Sequence, residues 1–350
     1  MRRPKMGKDP LKRGWISLLF LFLVACSTVT GPPVSEEERY QALLDILTVK
    51  WEEYLKDQQR VGDVLYRLLL VIKDQNPKEY PYVGIKILDL HRLGQAEKEA
   101  LERLKGFKLP QEGYLITYVT PYYASKGVHR FEILSPTLSP FRIEIGKPLH
   151  LVFSNGRTLD VTPQVIHTKP VDFVIVDSEE VNAWVTPENI VYVTTALCRA
   201  LPEDDQLAAV LGHELAHLKR GHILKRQALF TLRDIFGLVL GSLAGGTARD
   251  IYRATSNLAL LKFSRDQERE ADFFGLYYAY LAGFDLDKVA RTWIYLSAVL
   301  PRTKGPNLLM THPVNEERLA RIRKIVRLIK EGHTFEEFMR QEEGKNPKGG

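Results

Sequence analysis

The chain has 350 residues, of which 45% are hydrophobic and 26% are charged, enough for one large globular domain or two modest ones. The formal net charge is +6, but six basic residues and one acidic residue lie within the first 25 positions, which leaves about +1 for the rest. Because nucleic-acid binding needs a basic face, this near-neutral body argues against that class, and we expect no nucleic-acid partner.

The N-terminal segment has the features of an export signal. A basic stretch is followed by Trp15–Ala25, an apolar run of 11 residues. This run is shorter than the roughly 20 residues that span a bilayer but suits a secretory signal. Leu23–Cys26 then resembles the bacterial lipobox, which implies lipidation at Cys26. By the sorting rule of such lipoproteins, Ser27 favours the outer membrane, facing the periplasm. An uncleaved anchor, or a plain signal peptide with an unmodified cysteine, is the alternative.

The cysteine content excludes an internal disulfide if the lipobox is used. Only two cysteines are present, so lipidation of Cys26 leaves Cys198 without a partner in the chain. Cys198 lies in an apolar run, and we expect a buried small hydrophobic residue there rather than a nucleophile.

The region after the signal segment, residues 36–110, carries a helical pattern. Apolar residues recur at three- and four-residue spacing between Leu43 and Leu55, which predicts a first helix. A second helix is predicted near Val61–Lys73 and a third near Val83–Lys105. No ligand-like cluster occurs here, and we interpret the region as a spacer or a partner-binding arm.

The next region changes to a β-rich pattern. Tyr114–Val119 and Arg142–Ile145 are rich in β-branched and aromatic residues, which favours strands. The sequence Ser-Asn-Gly-Arg at 154–157 predicts a tight hairpin turn between strands at Leu149–Phe153 and Leu159–Val161.

Two further strands are followed by a long helical stretch. Val171–Val176 and Asn189–Thr194 have strand composition, whereas the pattern from Pro202 to about Lys330 is helical. Within that stretch, Ile235–Ala248 contains 14 uncharged residues. This is too short for a membrane span, so a packed helix with a Gly-rich turn is favoured over a membrane-dipping element.

The stretch His213-Glu-Leu-Ala-His217 has the spacing of a metal site. Residues four apart share one face of a helix, so both imidazoles can point at one ion. Glu214 lies beside them and can reach a metal-bound water rather than the metal. So short a motif can arise by chance. A third ligand is also needed, because catalytic zinc keeps three protein ligands and one open position.

His222 is the nearby candidate for that third ligand, and it does not fit. The metzincin pattern needs Gly and His at two later offsets, where this chain has Arg220 and Ile223. We therefore expect His222 to lie beyond the active turn of the helix, near its end.

Glu268 is the better candidate. On a helix it shares one face with Ala271 and Asp272, while Glu270 points roughly the other way. Glu268 can bind zinc, the small Ala271 permits close packing against the first motif, and Asp272 can accept a hydrogen bond from the outer nitrogen of a ligand histidine. The alternative for this segment is a solvated charged helix.

Together these residues resemble the HtpX-type and BepA-type zinc metallopeptidases, gluzincins related to the CAAX prenyl endopeptidases. The family pattern H-E-x-x-H, followed at a distance by E-x-x-x-D, matches His213–His217 and Glu268–Asp272. The resemblance covers roughly residues 165–330. Nothing in it accounts for residues 36–165.

Two weaker motifs add to the resemblance. Asn182, Ala183 and Trp184 resemble the edge strand of the family, along which an extended substrate lies. Thr311-His312-Pro313, with Arg318 beyond it, resembles the late His-Pro segment near the cleft. His312 can donate to a developing oxyanion or occupy the open position of the metal in a resting state; a capping or core histidine is the alternative. Arg318 can equally be a surface salt-bridge residue.

The resemblance implies an α+β fold, with a mainly helical zincin-like domain and a small β-sheet whose edge strand lines the cleft, preceded by a helical segment and a β-rich segment. The predicted organisation is a signal peptide over 1–25, a tether over 26–35, a helical region over 36–110, a β-rich region over 111–165, a metallopeptidase domain over 166–335 and a polar tail over 336–350. The last part of that tail, Glu342–Gly350, is expected to be disordered.

The activity implied is that of a zinc metalloendopeptidase of the bacterial envelope, with one zinc per chain. His213, His217 and Glu268 are its expected ligands and Glu214 its general base. Its expected partners are misfolded or unassembled envelope proteins, as substrates, and the membrane, through the lipid anchor. An envelope chaperone with a largely inactive zinc site is the alternative from a different class, and a zinc hydrolase of peptidoglycan or lipid is a third reading.

Overall fold

The computed structural model describes residues 32–74, 78–136, 143–227, 263–300 and 307–345. The predicted signal peptide, the lipidation site Cys26 and the segment Ile235–Ala248 lie outside these residues. Within them, no helix combines the length and the apolar character needed to cross a membrane.

The chain divides into two units, Met1–Ala42 and Leu43–Gly350. In the first unit, Ser35 and Glu38 exchange hydrogen bonds between side chain and backbone (3.1 and 2.7 Å). This capping box starts the first helix.

The predicted α+β class is confirmed by the order of elements. The helices are α1 Glu36–Val71, α2 Gln95–Lys105, α3 Pro121–Ser125, α4 Thr195–Ala200, α5 Asp204–Lys219, α6 His222–Gln227, α7 Arg265–Leu281, α8 Leu286–Val299, α9 Leu308–Thr311, α10 Glu316–Lys330 and α11 Phe335–Lys345. The strands are β1 Tyr80–Tyr82, β2 Ile85–Asp89, β3 Tyr114–Val119, β4 Ile133–Leu134, β5 Leu149–Val152, β6 Thr158–Val161, β7 Gln164–Ile166, β8 Asp172–Val176, β9 Ala183–Val185 and β10 Ile190–Thr194.

Within the described ranges, the strands form four small sheets instead of one large one. Two are three-stranded, with the orders β8-β10-β9 and β2-β3-β4, and two are the pairs β1-β7 and β5-β6. In the first sheet, β10 runs parallel to β8 and antiparallel to β9, so β9 lies at an edge. The predicted hairpin at 154–157 joins β5 to β6, where Gly156 has a φ of 84° that favours glycine.

The predicted first and second helices are one helix, α1, of 36 residues. Asp57 and Gln58 interrupt its apolar pattern, yet both are buried and continue the helix. Gly62 lies in its interior because a Cβ there would be 2.5 Å from the ring of Tyr118. Close packing against a distant strand thus explains a glycine in the interior of the helix.

The interpretation of residues 36–110 as a spacer or a partner-binding arm is wrong for the second half of α1. Buried apolar side chains between Val61 and Ile72 belong to the same core cluster as the buried residues of β8, β10, α5 and α7. This half of α1 is therefore part of the domain body.

The predicted third helix begins twelve residues too early. Tyr80–Tyr82 and Ile85–Asp89 form β1 and β2, a single 3-10 turn follows at Leu90–Arg92, and within the predicted span only Gln95–Lys105 is α-helical. β2 pairs with β3, and Gly84 has no room for a Cβ against Thr120. A pairing across about 30 residues is not visible in local periodicity, which is why the helical pattern was misleading.

Two smaller expectations are also wrong. Ile143–Ile145 is not a strand, although Leu149–Val152 and Thr158–Val161 are. The expected disordered tail begins too early, because α11 continues to Lys345.

Helix α5 is the centre of the second unit. All eleven residues from Leu207 to His217 are buried, as expected of a helix that is enclosed on every side. Its closest neighbour is α7, and the two backbones approach at a pair of glycines. A Cβ on Gly212 would lie 3.0 Å from the carbonyl oxygen of Gly275, and a Cβ on Gly275 would lie 3.0 Å from the amide nitrogen of His213.

Adding one methyl group at this crossing should separate the helices. For Gly275→Ala we expect a loss of about 1–3 kcal/mol of unfolding free energy in urea titrations, because the methyl group meets backbone atoms that cannot rotate away. Gly94→Ala is the matched control, since its Cβ comes no closer than 3.5 Å, to a flexible Glu97 side chain; it should cost only about 0.5 kcal/mol. Equal losses would contradict a close crossing.

Candidate metal centre

Four buried side chains converge on one point. They are His213 and His217 on α5, Glu268 on α7 and His312, which directly follows α9. Each offers one ligand atom, and these atoms all lie within 4.8 Å of one another. The structure thus brings together the three ligands expected from sequence and the histidine whose role was left open.

The spacing of the donor atoms fits a tetrahedral ion. Zinc bonds of about 2.0–2.1 Å place donors roughly 3.3 Å apart in a tetrahedron. Here Nε2 of His213 lies 3.0 Å from Nε2 of His217 and 3.2 Å from Nδ1 of His312. Oε1 of Glu268 lies 3.4 Å from Nε2 of His217 and 2.9 Å from Nδ1 of His312, and its Oε2 lies 3.5 Å from Nε2 of His213. Three buried imidazoles and one buried carboxylate with donor atoms this close together are a donor set that a zinc ion satisfies.

The electrostatics of the centre follow from burial and mutual contact. Burial lowers the pKa of His217 well below its ordinary value, which keeps this imidazole in the neutral form that binds metals. Burial also acts to lower the pKa of His312, but the carboxylates of Glu268 and Glu214 raise it to about 9. Burial by itself would raise the pKa of Glu268, yet the surrounding imidazoles lower it. Glu268 is therefore an anion.

Glu214 lies beside the centre and is not one of the four convergent donors. It is 1% exposed, and its Oε1 is 3.2 Å from Nε2 of His312. A buried carboxylate adjacent to the metal position but outside the ligand set is free to accept a proton.

Asp272 and Arg318 support His213 from behind. Oδ1 of Asp272 lies 3.2 Å from Nδ1 of His213, within hydrogen-bond distance, although the angle falls short of a hydrogen bond. Arg318 donates to both oxygens of Asp272 (2.7 and 2.8 Å) and to the carbonyl of His312 (3.2 Å). At 7% exposure Arg318 is buried, so the alternative of a surface salt-bridge residue is wrong.

Aromatic rings hold the imidazole planes. Phe263 stacks on His217 with ring centroids 3.8 Å apart, and Trp293 meets His213 edge-on at 4.9 Å. Arg318 in turn lies 4.6 Å over the Trp293 ring. Neither aromatic residue was singled out from the sequence, because neither belongs to the motif or to its helical period.

The predicted edge strand lies next to the segment that carries His312. Among the described strands, β9 pairs only with β10, and Trp184 stacks on Tyr192 with ring centroids 5.1 Å apart. The amide of Leu308 donates to the carbonyl of Val181 (3.1 Å), just before Asn182 and Ala183. The strand and α9 therefore begin side by side.

A cavity of about 320 Å³ opens next to Glu268 and Asp272. Its wall includes Phe263, Pro313 and four arginines, among them Arg318. The volume is large enough for a substrate side chain.

His222 lies just beyond the end of α5, as expected, but sequence reasoning did not foresee its contact with His217. It is not among the four convergent donors, but it is fully buried and its Nδ1 lies 3.0 Å from Nδ1 of His217. The sequence contains a signal for this contact. Gly221 follows Arg220, and a glycine directly after a helix turns the chain. Its φ is 72°.

Comparison with known proteins agrees with this geometry. Residues 160–326 match the family model described as Peptidase family M48. The chain is 28% identical to the Beta-barrel assembly-enhancing protease of Escherichia coli K12 over 192 residues, which cover 50% of this chain and 39% of the relative. It is 30% identical to the mitochondrial Metalloendopeptidase OMA1 of Bos taurus over 171 residues, 43% and 32% of the two chains. It is 28% identical to Metalloprotease YcaL of Escherichia coli K12 over 165 residues, 45% and 63%.

Each match thus covers only part of this chain and part of the relative. The chain covers about two fifths of the first relative and a third of the second.

Removing one donor should release the metal. For Glu268→Gln we expect zinc affinity to fall more than the 10- to 100-fold typical of residues behind the ligands, measured by competition with a chromophoric chelator. Asp266→Asn is the control, an exposed acid on the same helix paired with Arg269 at 2.8 Å, and it should retain about one zinc per chain. Equal zinc affinity in both variants would remove Glu268 from the ligand set.

Proposed function

We propose, from the match of residues 160–326 to the model of peptidase family M48, that this chain is a zinc-dependent metalloendopeptidase of the bacterial envelope. Its proposed substrates are misfolded or unassembled envelope proteins. The observation that carries the proposal is Glu214, a buried carboxylate beside four convergent donors but outside them. A purely structural metal site has no need of a carboxylate in that position.

The residues divide into roles that follow from their positions. His213, His217 and Glu268 would hold the ion, which when bound would polarise a substrate carbonyl and lower the pKa of a water to about 7. Glu214 accepts the proton of the attacking water and delivers it to the departing amide nitrogen as the peptide bond breaks. Arg318 and Asp272 keep His213 oriented during this cycle.

His312 is best assigned to a resting state. Its Nδ1 stands among the donors, and its Nε2 is 3.2 Å from Glu214. In this arrangement one imidazole covers both the position that water needs and the base that would activate it. This supports occupation of the open position over oxyanion donation, so His312 has to move before the peptide bond is attacked.

The substrate proposal rests on the edge strand β9. An extended peptide can add to an edge strand through backbone hydrogen bonds, which gives binding with loose sequence preference, and among the described strands β9 pairs with β10 alone. Asn182, Ala183 and Trp184 would line that binding site. One relative is named for enhancing β-barrel assembly, which supports envelope proteins as the substrate class.

The envelope location rests on the N-terminal sequence. The lipobox-like Leu23–Cys26 supports lipidation at Cys26 and anchoring in the outer membrane, facing the periplasm.

Metabolic labelling with a palmitate analogue in a bacterial host tests this lipidation. The wild type should carry the label, and Cys26→Ser should abolish it.

The activity test uses the full chain in mild detergent with casein as an unfolded substrate. We expect the wild type to cleave and Glu214→Gln to cleave about 100- to 10,000-fold more slowly, because the amide cannot accept the proton. Both proteins should hold about one zinc per chain.

Two other outcomes would overturn parts of this proposal. If both proteins bind zinc and neither cleaves casein, even when mild denaturant loosens the loop at His312, an envelope binding factor would be favoured. Equal cleavage by both proteins would remove Glu214 from the mechanism.

A further inference from the structure

Three polar side chains form a chain of hydrogen bonds that begins at His217. Nδ1 of His217 lies 3.0 Å from Nδ1 of His222, and Nε2 of His222 lies 2.9 Å from Oε2 of Glu270. The other oxygen of Glu270 accepts a 2.5 Å hydrogen bond from Nε of Arg220. We call His222, Glu270 and Arg220 the outer relay.

The hydrogen bonds of the outer relay are consistent with only one arrangement of protons around a bound ion. If Nε2 of His217 binds a metal, its Nδ1 carries the proton and must donate it. Nδ1 of His222 is then the acceptor, so His222 carries its proton on Nε2 and donates to Glu270. Glu270 is an anion that Arg220 stabilises. Each bond has one donor and one acceptor, and both imidazoles are neutral.

A turn at the end of α5 makes this contact possible. On a continuous helix, residues five apart point about 140° away from each other, so His217 and His222 could not meet. Helix α5 ends at Lys219, Gly221 takes a φ of 72°, and α6 begins at His222. A Cβ on Gly221 would meet nothing within 4 Å, so the backbone conformation, and not space, requires the glycine.

The other ligand histidine of α5 has a similar support. His213 faces Asp272, which is held by Arg318, and that arginine lies over an aromatic ring. In the outer relay, Arg220 lies 4.3 Å over the ring of Phe274. Each imidazole of α5 is thus backed by an acid that an arginine fixes, directly in one case and through a second imidazole in the other.

From this geometry we propose that His222 and Glu270 are positioning residues that fix the tautomer and ring direction of His217 for metal binding. The inference rests on the proposed function, because it takes His217 to be a zinc ligand. It assigns no step of the reaction to either residue. The competing explanation is that His222 only fills space in the core.

Two substitutions at His222 separate these explanations. In His222→Asn, the side-chain oxygen can stand near the former position of Nδ1 and still accept from His217. In His222→Leu, a side chain of comparable bulk offers no acceptor. We expect zinc affinity about 10- to 100-fold weaker for His222→Leu and within about threefold of wild type for His222→Asn, measured by chelator competition on the full chain.

Glu270→Ala tests the next link if His222→Leu fails to fold. The Glu270 side chain is 33% exposed, so its removal leaves no cavity in the core. We expect a loss of zinc affinity of about 10-fold, at the low end for such partners. Glu179→Ala is the matched control, because Glu179 pairs with Arg199 at 3.1 Å without contacting a histidine, and it should leave zinc affinity unchanged.

The ranking of the variants decides the question. Equal weakening of zinc binding by Asn and Leu at position 222 would mean that the ring acts by packing, and unchanged binding in both would mean that it does not act on the metal; either result overturns the proposal. Zinc content and casein cleavage of the wild type test the proposed function separately. If the wild type binds zinc and cleaves casein while the variants bind zinc as tightly as the wild type, the proposed role of the outer relay is wrong and the proposed function still holds.

Discussion

The close approach of α5 and α7 is the contact on which the metal centre depends. Gly212 and Gly275 let the two backbones meet with no side chain between them, and Ala271 is fully buried at the same interface. Only at this separation do the two imidazoles of α5 and the carboxylate of Glu268 reach one point. A wider crossing would leave buried polar groups facing one another without a common ion, at a high cost in desolvation.

Burial of so much charge needs internal compensation. Glu214, Glu268 and Asp272 are all less than 9% exposed, and Arg318 is the buried cation that contacts two of them. Removing one member of such a group leaves an unpaired charge in the core, which typically destabilises by about 3–5 kcal/mol. A bound divalent ion would supply the remaining positive charge. The same groups that make the centre reactive thus make the core sensitive to the metal.

The contacts of His312 restrain the reactivity of the metal centre. Nδ1 of His312 lies 2.9 Å from Glu268 and its Nε2 lies 3.2 Å from Glu214, so one residue from a short helix covers both the metal position and the proposed base. Helix α9 has only four residues and is hydrogen-bonded to the segment before the edge strand. A peptide that pairs with β9 would therefore bind next to the element that has to move. Substrate binding and opening of the centre are physically adjacent.

The sequence by itself determined the parts of this protein that depend on local spacing. The i, i+4 period of a helix fixed His213 and His217 on one face, the same period put Asp272 one turn from Glu268, and the hairpin at 154–157 followed from its turn residues. Only the tertiary structure decided the fourth donor, because His312 lies 95 residues beyond His217 and reaches the centre through α9. It also decided that residues 80–89 contain two strands and that His222 turns back behind His217. Such contacts join residues whose separation in the chain carries no period, so they exist only after the helices have packed.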